Sequence, residues 1–147
     1  MRIYLDNCCY NRPFDTPSCN TIIFESNAKM SIQLLVISEK VTLAYSLVVL
    51  EEVYNNPFKY KKEQILSFLS NAKVYVGTDK RPQIDADASG IMKNGIKYMD
   101  AAHISAAIIA QCDFLITTDK KLLNYKSDKI KIINPIDFIR MWESENA

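Results

Sequence analysis

Glycine is scarce in this chain of 147 residues: only Gly77, Gly90 and Gly95 occur. No G-x-G-x-x-G or G-x-x-x-x-G-K-[ST] run exists, which excludes nucleotide binding by a glycine-rich loop. Histidine is scarcer still, with His103 alone, and the four cysteines Cys8, Cys9, Cys19 and Cys112 form no C-x-x-C pair. A finger-type zinc site is therefore excluded, and the cysteines read as small buried hydrophobes in a reducing compartment. The chain has no charged-then-apolar leader and no run of about 18 or more apolar residues, so a cytoplasmic protein is expected. An excess of either charge is also missing, since the formal net charge is +1.

What is present is an ordinary globular composition, 48% apolar and 24% charged, in a length that suits one domain over residues 1–147. Lysines gather as Lys59, Lys61 and Lys62, as Lys93 and Lys97, and from Lys120 to Lys131. Lysines near a group of acids suit a polyanion whose phosphates meet those acids through metal ions.

Apolar runs and helical periodicities alternate along the chain. Ile3-Tyr4-Leu5-Asp6 reads as a buried strand that stops at a carboxylate. A polar loop with Asn11, Pro13, Asp15, Pro17 and Ser18 follows, then a helix from about Thr21 to Ser38 with Ile23, Met30, Leu34 and Ile37 on its apolar face. Val41–Tyr45 reads as a strand, Ser46 as the cap of a helix over Leu47–Tyr54, and Asn56-Pro57 as the start of a helix that buries Phe58, Ile65 and Leu69. Lys73–Val76 is a strand, Arg81–Asn94 a helix ending at Gly95, Tyr98–Gln111 a helix, and Phe114–Ile116 a strand. Asp119–Asn124 is a short helix, Ile130–Ile133 a last strand, and Asn134-Pro135 opens a terminal helix. Such alternation predicts an α/β three-layer sandwich, a central parallel β-sheet of about five strands with helices on both faces.

Ligands of open α/β sheets bind outside the carboxyl ends of the strands. Asp6 ends the first strand, Glu51 or Glu52 lies in the helix after the second, Asp100 sits in a first helical turn, and Asp119 follows Phe114–Thr118. Each has an ordinary use as a turn, cap or solvated residue; their joint arrival at one edge is the informative feature. Like charges at short range disfavour one another, and hard divalent cations are the usual remedy. A Mg²⁺ or Mn²⁺ site of this kind suits phosphodiester hydrolysis without a cysteine or serine nucleophile.

Ile3-Tyr4-Leu5-Asp6, Lys97-Tyr98-Met99-Asp100-Ala101-Ala102-His103 and Phe114-Leu115-Ile116-Thr117-Thr118-Asp119, in that order and over nearly the whole chain, resemble a PIN domain. The resemblance implies a metal-dependent endoribonuclease acting on single-stranded or structured RNA, and a VapC-like toxin of a toxin–antitoxin pair. It matches Asp6, Asp100 and Asp119 to the first, third and fourth acids of the family. The second acid falls six residues after Ser46, which selects Glu52. Thr117 matches a supporting hydroxyl, and Asn7 stands where the family more often has Ser or Thr. His103, one turn beyond Asp100, reads as a packed or supporting residue and not a ligand. Phe58-Lys59-Tyr60-Lys61-Lys62 suits either single-stranded RNA or an amphipathic helix start at a partner surface. The expected partners are an RNA substrate, a cognate antitoxin and a second copy of the chain. The alternative expectation is a catalytically silent PIN-like module that binds RNA or protein.

Overall fold

A computed structural model describes residues 1–11 and 19–147 of the chain. The elements are β1 (Arg2–Leu5), α1 (Asn7–Asn11), α2 (Asn20–Ile37), β2 (Thr42–Ser46), α3 (Leu47–Tyr54), α4 (Lys59–Leu69), β3 (Val74–Val76), α5 (Arg81–Met92), α6 (Tyr98–Ile109), β4 (Phe114–Ile116), α7 (Lys120–Asn124), β5 (Lys131–Ile133) and α8 (Pro135–Glu145). The five strands form one parallel sheet in the order β3-β2-β1-β4-β5. This is the α/β three-layer arrangement of a PIN-like fold.

The pleat explains how one sheet serves two helical layers. Tyr4 turns its hydroxyl to His103 on α6, so Ile3 and Leu5 point the opposite way. Phe114, in register with Ile3, meets the ring of Phe138 on α8 at 5.6 Å between centroids. Ile3, Tyr4, Leu5, Leu43, Ala44, Leu115 and Ile116 are all fully buried, as central strands covered on both faces require. Small residues let α6 lie close to the sheet: Ala101, Ala102, Ala106 and Ala107 are buried on it. Gly95 ends the α5 segment with φ of 82°, a conformation that suits glycine.

Several sequence expectations need correction. The segment after Asp6 is helical to Asn11 and not a loop, while Pro13, Asp15, Pro17 and Ser18 lie outside the described residues. The face that α2 buries is Ala28, Lys29, Ile32 and Val36, whereas Ile23, Met30, Leu34 and Ile37 are exposed. Both stripes have helical spacing, and periodicity alone does not say which one turns inward when a helix is apolar on two sides. Phe58 is exposed, and α4 begins at Lys59, because Asn56 Oδ1 accepts the Phe58 N–H at 2.9 Å and holds the chain in a turn there. Cys9 and Cys112 are buried as expected, but Cys19 is exposed and Cys8 half-buried. Among the described residues no helix is long and apolar enough to cross a membrane.

Candidate active site

The strand order reverses at β1: the chain runs outward through β2 and β3, then returns to the other side of β1 with β4 and β5. Such a switch point opens a crevice at the carboxyl ends of the strands. Asp6 stands in it, directly after β1, and its N–H donates to the Ile116 carbonyl of β4 at 3.0 Å.

Asp6 is 6% exposed and rigidly held. Its Oδ1 accepts the Asn7 N–H at 2.8 Å, and its Oδ2 accepts the Thr117 hydroxyl at 2.8 Å and the Cys8 thiol at 3.3 Å. Asn7 thus serves the carboxylate through its backbone, at the first position of α1. Thr117, itself fully buried, does two things at once. Its Oγ1 donates to Asp6 and accepts the Asp119 N–H at 3.0 Å, fixing the end of β1 relative to the start of α7. Asp119 caps that helix, with Oδ1 accepting the Lys121 N–H at 2.8 Å.

The second half of the site comes from α3 and α6. Ser46 caps α3 by accepting the Val48 N–H at 3.2 Å and lies 2.7 Å from the Tyr4 hydroxyl. The same hydroxyl is 2.7 Å from His103 Nδ1, and His103 Nε2 is hydrogen-bonded to Glu52. A relay of Ser46, Tyr4, His103 and Glu52 therefore crosses the core from strand end to carboxylate. Burial pushes the Tyr4 phenol well up, so it stays protonated and able to donate. Burial alone would lower His103; the bond to Glu52 and the charges of Asp6, Glu52 and Asp100 outweigh it, and the imidazole is raised. His103 Nε2 is also 3.8 Å from Asp6 Oδ1, which puts Glu52 and Asp6 on one side of the ring.

Glu51 and Glu52 separate cleanly. Glu51 is bonded to Arg81 at the start of α5, which in turn donates to the Tyr98 hydroxyl at 2.9 Å. Glu52 turns inward. Asp100, in the first turn of α6, has its carboxyl raised by burial, then by the charges of Asp6 and Asp119, with Glu52 adding and His103 opposing. Asp100 thus feels all three of the other acids. No lysine or arginine pairs with any of the four among the described residues.

The arrangement is tested for a divalent cation by its donors. Among the described residues, no group of three or more His, Cys, Asp or Glu side chains is arranged so that it could hold a metal ion by itself. The donor chemistry, carboxylates alone, is of the kind that suits Mg²⁺ or Mn²⁺, since such ions are typically held by one or two carboxylates together with substrate.

Cys8, Tyr4 and the bridging part of Ser46 were not singled out from the sequence as site residues. The Cys8 thiol sits 3.3 Å from Asp6 Oδ2, accepts from the Thr118 N–H at 3.4 Å, and is lowered first by a hydrogen bond with Cys9. Its position two residues past Asp6 is a signal once α1 is known to be helical. Tyr4 gives no such signal, since it reads as one more apolar strand residue.

No family model matches the chain, and a search of the curated proteins finds no match. Among solved structures, a chain of "Structure of FitAB bound to IR36 DNA fragment" is similar over 91% of this chain and 95% of that one, with a TM-score of 0.59 and 19% identity. At that identity the likeness is one of fold, and it agrees with the PIN-like sheet order described above.

Proposed function

We propose that the chain is a Mg²⁺- or Mn²⁺-dependent endoribonuclease of the PIN family in which Asp6, Glu52, Asp100 and Asp119 hold the metal. The observation that carries this reading is the gathering of acids around Asp100: its carboxyl is raised by burial and then by Asp6, Asp119 and Glu52, against which only the buried His103 acts, and among the described residues no lysine or arginine pairs with it. A bound divalent cation supplies charge relief, Lewis acidity toward a phosphoryl oxygen and a water of lowered pKa. The side chains do the positioning. Thr117 locks Asp6 and Asp119 to one another, His103 aims Glu52, and the low exposure of Asp6 keeps bulk water from competing for its oxygens.

A toxin role with a cognate antitoxin follows from the family resemblance. A second copy of the chain is supported by the exposed apolar residues Ile23, Phe24, Met30, Leu34 and Ile37 of α2, since contiguous exposed apolar surface usually marks an interface. The purified protein should cleave single-stranded RNA with Mg²⁺ or Mn²⁺ and stop on addition of EDTA, and Asp6→Asn should abolish cleavage. Cleavage that survives Asp6→Asn or EDTA refutes the assignment. The open donor set favours one second reading, a silent module binding RNA or protein, and calorimetric titration with Mn²⁺ separates the two: the module binds none.

A further inference from the structure

Beside Glu52 lies a pocket of about 320 Å³ whose walls include Asn7, Glu52, Asn55, Asn56, Phe58 and Lys61. That volume is at the lower end of the roughly 300–1,000 Å³ of small-ligand sites. Two of its walls belong to the candidate site itself, Glu52 directly and Asn7 as the residue after Asp6. The remainder is unlike a generic surface dent. Phe58 leaves 60% of its surface exposed, yet its backbone is fixed: Pro57 restricts the turn and Asn56 Oδ1 takes the Phe58 N–H at 2.9 Å. The Lys61 ammonium lies 4.9 Å from the Phe58 ring centroid, bringing positive charge to an aromatic platform. Asn7 and Asn55 line the same walls.

A large exposed aromatic ring gives nothing to the core, and Phe58, on a backbone held by Asn56 and on the same pocket wall as Glu52, offers a face for a flat ligand. Nucleobases stack on such rings regardless of sequence, lysine ammonium groups meet the intervening phosphates, and asparagine carboxamides bond to base edges. The base has to be unstacked from its neighbours, which selects single strands. We infer that this pocket is the subsite for the nucleotide next to the scissile phosphate of single-stranded RNA, with Phe58 stacking the base and Lys61 holding its phosphate. This rests on the nuclease reading above and adds to it where the strand lies.

The test is steady-state cleavage of a labelled single-stranded RNA dodecamer of mixed sequence by the full chain in Mn²⁺, comparing wild type, Phe58→Ala, Phe58→Trp and Lys61→Gln. Circular dichroism of each variant checks folding, which an exposed residue should leave intact. Phe58→Ala should raise KM about tenfold with kcat nearly unchanged, the order expected for one lost base stack. Phe58→Trp should restore KM, and Lys61→Gln should raise KM and flatten its dependence on salt. Unchanged KM in Phe58→Ala, with wild type cleaving in a metal-dependent way, overturns the subsite and leaves the nuclease reading standing. Wild type that cleaves with neither metal overturns the nuclease reading, and the subsite with it. A Phe58→Ala protein that loses self-association or a protein partner while its KM stays at the wild-type value assigns this face to protein docking and likewise overturns the subsite.

Discussion

Lys29 of α2 is fully buried, and among the described residues its ammonium has no hydrogen-bond partner. It lies 4.5 Å from the Tyr10 ring centroid and 5.9 Å from that of Phe68. Burial lowers its pKa from 10.5 to about 8, against the opposing pull of Cys9, Cys8 and Asp6. That shift corresponds to about 3 kcal/mol of destabilisation at neutral pH, while attraction to the rings returns up to about 2 kcal/mol. Desolvation therefore wins, and Lys29→Met, similar in volume and apolar, should stabilise the fold by about 1–3 kcal/mol at pH 7. The sign of the pH dependence is fixed as well. Between pH 8 and 10.5 the unfolded chain holds a proton that the native lysine has lost, so wild-type stability should rise with pH relative to the variant. The gap between the two proteins should narrow by about 2 kcal/mol from pH 7 to pH 9.5, because titrations common to both cancel. Urea unfolding followed by the fluorescence of Trp142 measures both quantities. A variant less stable than wild type, or a gap that does not change with pH, refutes the reasoning.

Thr117→Val keeps the side-chain shape but removes the hydroxyl that joins Asp6 to Asp119, so Mn²⁺ affinity measured by calorimetry should fall about 10–100-fold. His103→Gln should weaken Mn²⁺ binding to a similar degree, because Glu52 loses the ring that aims it. Glu52→Gln should abolish RNA cleavage, whereas Glu51→Gln, which releases a part-exposed pair with Arg81, should cost no more than about 1 kcal/mol of stability in urea and leave cleavage in place. Asn134→Ala removes the side chain that accepts the Asp137 N–H at 2.8 Å and caps α8, and the melting temperature should drop by about 2–4 °C.

The strands and helices were legible where local chemistry is strong. Ser46 is a cap in the structure as its side chain suggested, the terminal helix opens at Asn134-Pro135, Gly95 adopts the positive φ a helix end asks for, and the unbroken apolar run of β1 is buried on both faces. Orientation was not legible. Helical spacing puts Ile23, Met30, Leu34 and Ile37 on an apolar face of α2, yet the fold leaves that stripe exposed and buries Lys29 against two aromatic rings. Phe58 likewise stays exposed although its hydrophobicity suggested burial, and the turn at Asn56 starts α4 only after it.

That Asp6 follows β1 and Asp119 lies just past β4 was legible because a sheet's carboxyl edge is written in where apolar runs stop. Of the side chains around them, Thr117 and His103 were named only through the family resemblance and Tyr4 and Cys8 not at all, because such contacts depend on which side of a strand faces which helix. Tyr4 matters only because the pleat turns it toward α6, where its hydroxyl stands between Ser46 and His103. Thr117 matters because β4 lies beside β1 at the register that pairs Leu5 with Ile116, bringing the next residue of each strand within hydrogen-bond reach. A one-residue slip of that register would turn Thr117 to the opposite face and leave Asp6 with one strong donor fewer in a nearly dry setting. Sheet register thus decides whether Thr117 reaches Asp6, and core substitutions shifting β4 against β1 should break that bond, and lower Mn²⁺ affinity measured by calorimetry, before they unfold the chain.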